Sequence, residues 1–571
     1  MDLRLLAATP TDVEQDAVDS VIGLPEDRDG DRIDQAVGRV ALGGHQVRAE
    51  RHLLLPALHS LRNARGWISE GGLGYVCERL TIPPAEAYGV ATFYSLLGFE
   101  ERPDRVVHVC DDIMCVGRSE ATITRLEAEG VSVARSPCLG GCWSPPVTLE
   151  DAVGSTFASG SDTPPVPQEP NGLRLLRRVG VVDPTSIGDY QEHGGFSALR
   201  RARELGPEEV LNELERSNLR GRGGAAFPIA VKWRGVRAAD GAVKHVIANG
   251  DESEPGTFKD RVLMEADPFA LIEGLLIAAE ATAATKAWIY VRAEYPTAIE
   301  RLGTAIAATE AAGLHDDLDI EIRVGAGAYI CGEETSLFAS IEGQRGEPRQ
   351  KPPFPTTSGL FLQPTAINNI ETLVAVLEVI EQGATAFAAV GTKDSTGPKL
   401  FSVSGDVHRP GVYELPFGTP LNELIALAGG ARGQIGAVLL GGAAGTFIGP
   451  GNLDFELSIE GATGVGAMLG SGAVMVFNDS TDFGAIVRRI AAFFRDESCG
   501  KCVPCRIGTV RQEEALIRLA DGNVIDSVES ELRLLADIDA VMTDASICGL
   551  GRTAAAAVRS AIALELAGVI T

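Results

Sequence analysis

The 571 residues exceed what one compact hydrophobic core usually holds, so we expect several domains. Hydrophobic residues make up 45% and charged residues 22% of the chain, which is typical of a globular protein in water. The formal net charge of −28 argues against nucleic acid or an anionic membrane surface as a partner, because both attract basic patches.

No run of the sequence supplies the ~18 uninterrupted apolar residues that a membrane-spanning helix needs. The two most apolar stretches, 269–291 and 553–571, are both interrupted by charged residues. The first residues turn acidic almost at once and lack the apolar segment of a secretory signal, so we expect the chain in the cytoplasm. Thiols stay reduced there, and grouped cysteines hold metal more often than they form disulfides. Eight of the ten cysteines fall into two such groups.

The N-terminal part of the chain predicts a polar extension followed by helices. Residues 1–50 are polar and show little periodicity, so we expect a loosely ordered N-terminal extension. Within 51–102, leucines recur at helical spacing and Pro84 suits a helix start, which predicts a small helical bundle. Cys77 lies in this bundle without a cysteine partner, and we expect it to be a buried, small apolar side chain.

Residues 103–159 carry the first cysteine group. A predicted strand, a helical stretch and a second strand occupy 105–109, 118–130 and 131–134. Each strand leads to two cysteines, and these four are Cys110, Cys115, Cys138 and Cys142. Two pairs at two strand ends can bring four thiolates around one metal centre. Their spacing alone fits a structural zinc site as well as a 2Fe-2S cluster.

A proline-rich linker at 160–180 precedes a larger segment at 181–395. In this segment, strand-like runs at 243–248 and 288–291 alternate with helical stretches, which indicates an α/β fold. The GxGxxG turn of a Rossmann fold does not follow the first strand. Instead, 220–228 contains three glycines in four positions, where backbone N–H groups can approach a phosphate. Taken alone, such a segment is often only a turn.

The C-terminal part changes character twice. Residues 396–480 combine short strand-like runs and glycine-rich turns around one helix at 421–428, and no residue there suggests chemistry. Residues 481–571 are helical again and carry the second cysteine group, Cys499, Cys502, Cys505 and Cys548. Three thiolates at two-residue spacing wrap one corner of a cubic cluster, and Cys548 is the one later cysteine that can supply a fourth ligand. Zinc sites rarely space cysteines so tightly, so we predict a 4Fe-4S cluster.

Four glycine- and acid-rich blocks resemble those of a known family. The blocks are RGRGGAAFP at 220–228, NGDESEPG at 249–256, GAGAYICGEE at 325–334 and NNIET at 368–372. They are similar to the flavin- and NADH-binding subunit of the complex I family, the NuoF-like subunits that recur in soluble NAD-linked formate dehydrogenases and hydrogenases. Residues 66–97 resemble the helical region of the family's small thioredoxin-like iron–sulfur subunit, so two subunits look fused here. The resemblance covers roughly residues 50–571.

The resemblance implies the fold class and the cofactors. We expect a helical bundle, a thioredoxin-like domain with a 2Fe-2S cluster, an α/β domain that binds FMN and NADH, a β-grasp insert and a C-terminal helical bundle with a 4Fe-4S cluster. It also favours a 2Fe-2S cluster over zinc at the first cysteine group. One departure is that only 22 residues separate Cys115 from Cys138, as though a hairpin of the thioredoxin-like fold were trimmed.

The same resemblance assigns roles to residues of the four blocks. Those expected to hold the FMN phosphate are Gly221, Arg222, Gly223, Gly224, Asn368, Asn369 and Thr372. Those expected at the flavin ribityl chain and ring are Asn249, Asp251 and Glu252, and those expected to be catalytic on the nicotinamide side are Glu254, Tyr329 and Glu334. Phe227 is expected to stack on the adenine, with Lys232 and Lys351 near the dinucleotide. A second adenine-stacking aromatic of the family is missing after Trp233, and Arg234 is the candidate substitute through a cation–π contact.

These expectations together predict a function. A nicotinamide gives up two electrons as a hydride, iron–sulfur clusters accept one electron at a time, and flavin reconciles the two. We therefore expect a diaphorase subunit that exchanges hydride between NAD(H) and FMN and single electrons between FMN and the clusters. The fusion favours the β subunit of a soluble formate dehydrogenase, which would reduce NAD+ with electrons from a large molybdenum or tungsten partner subunit.

The sequence is also compatible with two other functions. The first is a fused complex I subunit or a hydrogenase diaphorase subunit, and the second, more remote, is a zinc-stabilised scaffold protein. For the formate dehydrogenase, complex I and hydrogenase hypotheses alike, we expect the chain to be part of a hetero-oligomer. We also expect it to bind no nucleic acid and to insert no segment into the membrane. No residue pattern suggests a site for formate, molybdopterin, nickel or quinone, which would belong to partner chains.

Overall fold

The structure is a computed structural model that describes residues 3–4, 7–24, 32–34, 39–41, 50–160, 162–315 and 317–569. The rest of the predicted N-terminal extension lies outside the described residues. The described part of this extension contains three short paired strands, β1 (Leu3–Arg4), β2 (Arg32–Asp34) and β3 (Arg39–Ala41).

The N-terminal helices form the predicted bundle and include one helix that the sequence pattern does not predict. The helices are α1 (Asp12–Ile22), α2 (Leu54–Arg65), α3 (Glu70–Leu80) and α4 (Pro84–Ala91). α1 begins with a capping box, in which Thr11 and Glu14 exchange side-chain and backbone hydrogen bonds. Its Val18 is buried, and Asp19 pairs with Arg79 of α3. The capping box and this buried contact hold a helix within the stretch expected to be loosely ordered.

The first cysteine group lies on a small mixed sheet of order β5-β4-β6-β7. Its elements are β4 (Arg105–Cys110), α5 (Glu120–Ala128), β5 (Ser132–Ser136), β6 (Thr148–Ala152) and β7 (Ala158–Ser159). β4 and β5 are parallel, so their carboxyl ends meet at one edge of the sheet. α5 and β5 are the only helix and strand between Cys115 and Cys138, as the short spacing predicts.

The linker after this sheet is pinned to a later part of the chain. The Pro165 carbonyl accepts a hydrogen bond from the Val412 N–H at 2.9 Å, and Gln168 exchanges two bonds with the backbone of Glu414. The Glu414 carboxylate accepts from three consecutive backbone N–H groups, those of residues 174–176, at 2.7–2.9 Å. The linker therefore covers a sheet edge that would otherwise be unpaired.

The central α/β unit is a parallel four-stranded sheet of order β10-β9-β8-β11 between helices. Its strands are β8 (His245–Gly250), β9 (Lys286–Val291), β10 (Asp319–Val324) and β11 (Thr365–Asn369). Its helices are α6 (Ile187–Glu192), α7 (Ser197–Leu205), α8 (Pro207–Arg216), α9 (Ile229–Ala238), α10 (Lys259–Ala266), α11 (Pro268–Thr282), α12 (Pro296–Ala311), α13 (Glu334–Ile341), α14 (Pro355–Ser358), α15 (Ile370–Gln382) and α16 (Ala384–Ala388). The strand order reverses between β8 and β11, which makes their carboxyl ends a topological switch point.

A β-grasp unit and a helical unit complete the chain. The β-grasp sheet has the order β13-β12-β16-β14-β15, with β12 and β16 parallel, and packs on α17. Its elements are β12 (Pro398–Gly405), β13 (Gly411–Pro416), α17 (Leu421–Leu427), β14 (Ile435–Leu440), β15 (Thr446–Ile448), α18 (Ile459–Gly464) and β16 (Ala473–Asn478). The helices that follow are α19 (Phe483–Asp496), α20 (Val503–Asp521), α21 (Val528–Ala545), α22 (Gly549–Thr553) and α23 (Ala556–Ala563). In the described part of the chain, no helix is both long enough and apolar enough to cross a bilayer.

Candidate functional site

The predicted flavin residues meet at the switch point of the parallel sheet. Asn249 lies at the end of β8, and its Cα is paired in register with that of Asn369 at the end of β11. Asp251 follows β8 directly, and Thr372 lies in the first turn of α15. Ligands of open α/β sheets bind at this edge, so the fold brings the separate sequence blocks to one place.

The glycine segment forms a cradle beside this edge. The Arg222 N–H donates to the Thr372 hydroxyl at 2.8 Å, which ties the segment to α15. A Cβ on Gly223 would lie 3.1 Å from the Cβ of Asn369, and Gly224 has a φ of +112° that favours glycine. Side chains at these positions would fill the space that a phosphate needs, so the cradle fits the phosphate of FMN.

The side chain of Arg222 points away from the cradle. It is buried, donates to the Thr396 carbonyl at 2.7 Å and lies over the Phe417 ring at 4.5 Å. Burial lowers the pKa of Arg222 to about 10. Both the guanidinium and the N–H of Arg222 are therefore committed within the protein, and the backbone N–H groups that can serve the expected phosphate are those of Gly223 and Gly224.

Two neighbouring acids after β8 have different surroundings. The Ser253 hydroxyl donates to Asp251 at 2.9 Å, while the other carboxylate oxygen is buried and without a hydrogen-bond partner among the described residues. Burial raises the pKa of Asp251 to about 7. Glu252 instead accepts from the N–H groups of Asp260 and Arg261 at 2.9 and 3.0 Å, in the first turn of α10. Asp251 is therefore open to a ligand, whereas the Glu252 carboxylate is committed to a helix end.

The predicted nicotinamide-side residues join three parts of the chain. The Tyr329 hydroxyl donates to Glu254, whose other oxygen accepts from the Ala444 N–H of the β-grasp unit at 2.8 Å. The Tyr329 N–H donates to Glu497 at 2.8 Å, next to α19. Burial raises the pKa of Glu254 to about 7 and places the pKa of Tyr329 well above its ordinary value.

The predicted dinucleotide residues Lys232 and Lys351 interact with the same carboxylate, that of Glu334. Lys351 pairs with Glu333 at 3.1 Å and with Glu334, and these carboxylates raise its pKa. Lys232 donates to the Ile367 carbonyl at 2.8 Å, and burial lowers its pKa. This cluster places two ammonium groups near the cradle, where a pyrophosphate could pair with them.

The aromatic groups at this surface differ in part from the expectation. Phe227 is 49% exposed, as a stacking ring must be before its ligand binds. Arg234 is held by Asn212 at 2.7 Å and by carboxylates of α8, so it does not reach out as a stacking group. Phe354, which the sequence reasoning missed, is 59% exposed and directly precedes α14. The sequence signal that could have identified Phe354 is an aromatic residue that follows Lys351 and two prolines.

The first cysteine group converges on one point. The Cys110 thiol lies within hydrogen-bonding reach of Cys115 and Cys138, and the Cys138 and Cys142 sulfurs are 3.5 Å apart. All four are buried. The Asp112 carboxylate accepts from the Cys138 N–H at 3.1 Å, which ties the two cysteine loops together. The four thiols thus fit a 2Fe-2S cluster.

This group is docked on the flavin edge of the α/β unit. Arg292, after β9, donates to the Cys138 carbonyl at 2.6 Å, and the Gly256 N–H donates to the Cys142 sulfur at 3.4 Å. The Trp143 ring lies 5.0 Å from that of Phe258. The cysteine loop 138–142 therefore packs directly on the segment that carries Glu254.

The second cysteine group gathers at the amino ends of two helices. Cys502 and Cys548 are the N-cap residues of α20 and α22, and Cys505 lies in the first turn of α20. Cys505 interacts electrostatically with each of the other three, including Cys499. A Cβ on Gly551 would lie 2.9 Å from the Cβ of Cys505, so α22 brings Cys548 close. The four thiols fit one cubic cluster, and within the described ranges no three His, Cys, Asp or Glu side chains are arranged for a single metal ion.

Four family models match the chain in the order of these units. They are described as thioredoxin-like [2Fe-2S] ferredoxin at 42–155, Nuo51 FMN-binding domain at 214–378, SLBB domain at 400–441 and NADH-ubiquinone oxidoreductase-F iron-sulfur binding region at 485–564. The F 2 subunit of NADH-quinone oxidoreductase in Rhizobium meliloti (strain 1021) is 43% identical over 400 residues, which are 68% of this chain and 94% of that protein. The chain belongs to the complex I 51 kDa (NuoF-like) family.

This NuoF-like chain is also similar to chains of two hydrogenases. NADP-reducing hydrogenase subunit HndC of Solidesulfovibrio fructosivorans is 38% identical over 67% of this chain and 80% of its own length. A chain of the crystal structure of an NAD+-reducing [NiFe]-hydrogenase in the air-oxidized state superposes with a TM-score of 0.79 at 32% identity, over 92% of this chain and 94% of that one.

These matches confirm the predicted fold class and cofactors. The NuoF-like chain is fused to a thioredoxin-like 2Fe-2S domain, and it carries an FMN-binding domain and a 4Fe-4S region. NAD(H) fits the NADH-oxidising family. The chain is an NAD(H)-dependent flavin and iron–sulfur oxidoreductase subunit, and the relatives it matches are subunits of an NADH-quinone oxidoreductase and of an NADP-reducing hydrogenase.

Proposed function

We propose that this chain is the NAD(H)-linked diaphorase subunit of a cytoplasmic formate dehydrogenase, in which a molybdenum or tungsten partner subunit supplies the electrons. The observation that carries the diaphorase assignment is the meeting of the glycine cradle, the acids after β8 and the cysteine loop 138–142 at one sheet edge. FMN held here supplies the exchange of a hydride with nicotinamide and of single electrons with iron–sulfur clusters.

The cradle and its neighbours hold the flavin in this proposal. The N–H groups of Gly223 and Gly224 can serve the phosphate, while the unpartnered Asp251 oxygen can accept from a ribityl hydroxyl or a ring N–H. Asn249 and Asn368, at the ends of β8 and β11, flank this position from the two neighbouring strands. Glu252 supports the site indirectly, because it fixes the start of α10.

The dinucleotide enters from the side of the two lysines. Lys232 and Lys351 offer ammonium groups to the pyrophosphate, and Glu334 positions Lys351 through its ion pair. Phe227 and Phe354 are the exposed rings that can enclose the adenine. Glu254 and Tyr329 then line the nicotinamide side, where the carboxylate can offset positive charge on the oxidised ring.

The second candidate partner is a hydrogenase. It is favoured by the structural likeness to the NAD+-reducing [NiFe]-hydrogenase chain, which extends over 92% of this chain and so includes the fused N-terminal domain. Nickel would then replace molybdenum or tungsten in the partner, and the residues of this chain would keep the same roles.

Purification from the native host tests both the diaphorase assignment and the identity of the partner subunit. The complex should contain FMN, iron and labile sulfide, and it should oxidise NADH with an artificial one-electron acceptor. A large partner subunit with pterin and molybdenum or tungsten supports formate oxidation, whereas nickel overturns it in favour of the hydrogenase. A preparation with only zinc and no flavin contradicts the diaphorase assignment itself.

A further inference from the structure

A buried charge network lies against the glycine cradle. We use this name for the side chains of Lys259, Asp260, Asn369, Glu371 and Lys399. The Lys259 ammonium contacts Asp260 at 2.8 Å and Glu371 at 2.9 Å, and the Asn369 amide donates to Asp260 at 2.7 Å. Asn369 is the residue that a Cβ on Gly223 would touch. The network therefore borders the glycine cradle at Asn369.

Lys399 enters this network from the β-grasp unit. Its ammonium donates to Glu371, to the Leu400 carbonyl and to the Ser471 carbonyl, each at 2.7 Å. The side chain is 2% exposed. Burial lowers the pKa of Lys399 to about 7, but three acceptors match the three N–H bonds of the protonated form. The β-grasp unit, in which the sequence suggests no chemistry, thus places a buried cation beside the flavin site.

The same lysine holds one wall of the cradle. The Ser471 backbone nitrogen would lie 3.7 Å from a Cβ on Gly224, and the Ser471 hydroxyl is 2.8 Å from that of Thr257. Because Lys399 bonds the Ser471 carbonyl, it fixes this loop against the glycines.

The network contains two cations and two anions, and Arg222 and Glu252 border it. Lys259 and Lys399 are the cations, and Asp260 and Glu371 are the anions. Removing the Lys399 ammonium takes away one of the two ammonium groups in contact with the buried Glu371 carboxylate, which is costly. The same change also removes the hydrogen bond that holds the Ser471 carbonyl, and with it the loop beside the glycines.

We propose that Lys399 is a positioning residue for flavin retention, through which the β-grasp unit controls how tightly the cradle holds FMN. This inference rests on the proposed placement of FMN at the glycine cradle. It assigns the β-grasp unit a role in cofactor binding in addition to packing.

The rate of FMN release from the holoenzyme tests the proposal. Release is followed after dilution at about pH 6 by the rise in flavin fluorescence. Lys399→Met and Lys399→Gln should release FMN about tenfold faster than the wild type, equivalent to about 1.4 kcal/mol of lost binding. Lys399→Arg keeps the charge and should restore most of the retention. Gln retains two N–H donors, so it provides a folded variant if Met does not.

Two controls separate the possible failures. Glu414→Gln neutralises a buried group of the same β-grasp unit whose carboxylate, among the described residues, accepts from the linker N–H groups of 174–176. Its FMN release should stay within about twofold of the wild-type rate. Gly223→Val should lose FMN because its side chain fills the cradle. Normal release in the neutral Lys399 variants, with FMN lost from Gly223→Val, overturns the role of Lys399 alone. Release from Lys399→Arg as fast as from Lys399→Met also overturns it. FMN retained by Gly223→Val overturns the placement of the flavin and the inference with it.

Discussion

Glu254 provides a sharp test of the site because its carboxylate connects Tyr329 to the β-grasp unit. Burial raises its pKa from 4.5 to about 7. At about 1.36 kcal/mol per pKa unit, folding disfavours the ionised form by roughly 3 kcal/mol. The isosteric variant Glu254→Gln removes this charge. Its amide oxygen can still accept from the Ala444 N–H, and the Tyr329 hydroxyl can rotate to accept from the amide nitrogen.

The assay is NADH oxidation by an artificial one-electron acceptor as a function of pH. Oxidation leaves a positive charge on the nicotinamide, so we expect the ionised Glu254 to be the active form. The wild-type kcat should fall by about tenfold per pH unit well below pH 7, and Glu254→Gln should show a low rate without that inflection.

The stability of the chain should depend on pH with the opposite sign. A carboxyl group whose pKa is raised by folding holds its proton more tightly in the folded chain. The contribution of Glu254 to stability is thus fully present below about pH 4.5 and is lost as pH rises through about 7. Glu254→Gln should flatten the decline in melting temperature over this window.

Asp251 is the matched control, because burial raises its pKa to about 7 as well. Asp251→Asn should keep the kinetic inflection that we assign to Glu254. An inflection that persists in Glu254→Gln, or that vanishes only in Asp251→Asn, would refute the assignment.

Three further variants test the dinucleotide side, the second cysteine group and the linker. Glu334→Gln removes one of the two carboxylates that pair with Lys351 and should change KM for NADH severalfold with FMN content unchanged. Unaltered kinetics would remove Glu334 from the site. Cys502→Ala should abolish the 4Fe-4S signal in electron paramagnetic resonance and most electron flow to a partner. The remote variant Cys77→Ala should keep both. An intact signal in Cys502→Ala would contradict the proposed cluster ligands. Glu414→Gln replaces one of the two oxygens that accept from three N–H groups with an NH2 donor and costs about 1–3 kcal/mol locally. It should speed proteolysis at 162–173, and an unchanged cleavage rate would argue against the role of Glu414 in holding the linker.

The sequence was most informative where chemistry restricts residue type. Cysteine spacing predicted two groups of four, and in the structure Cys548 lies near Cys505 although more than forty residues separate them. The parallel α/β unit also followed from its alternating pattern, because buried parallel strands such as β8 read as short apolar runs.

The sequence was least informative about where charged side chains point. Arg222 and Glu252 lie in family-like blocks, yet one turns to Thr396 and the other caps α10. Lys399 shows no motif, since its importance comes from acceptors on a distant helix and loop. Such contacts depend on how units dock, and periodicity within one segment carries no information on docking.

The linker covalently connects the 2Fe-2S unit to the flavin unit, which affects how the two units stay together. A covalent tether typically raises the effective concentration of one unit near the other to about the millimolar range. The contact between Trp143 and Phe258 therefore need not be strong by itself to keep the 2Fe-2S unit seated on the flavin unit. Synthesis as a single polypeptide also sets their stoichiometry at one to one, whatever the level of expression.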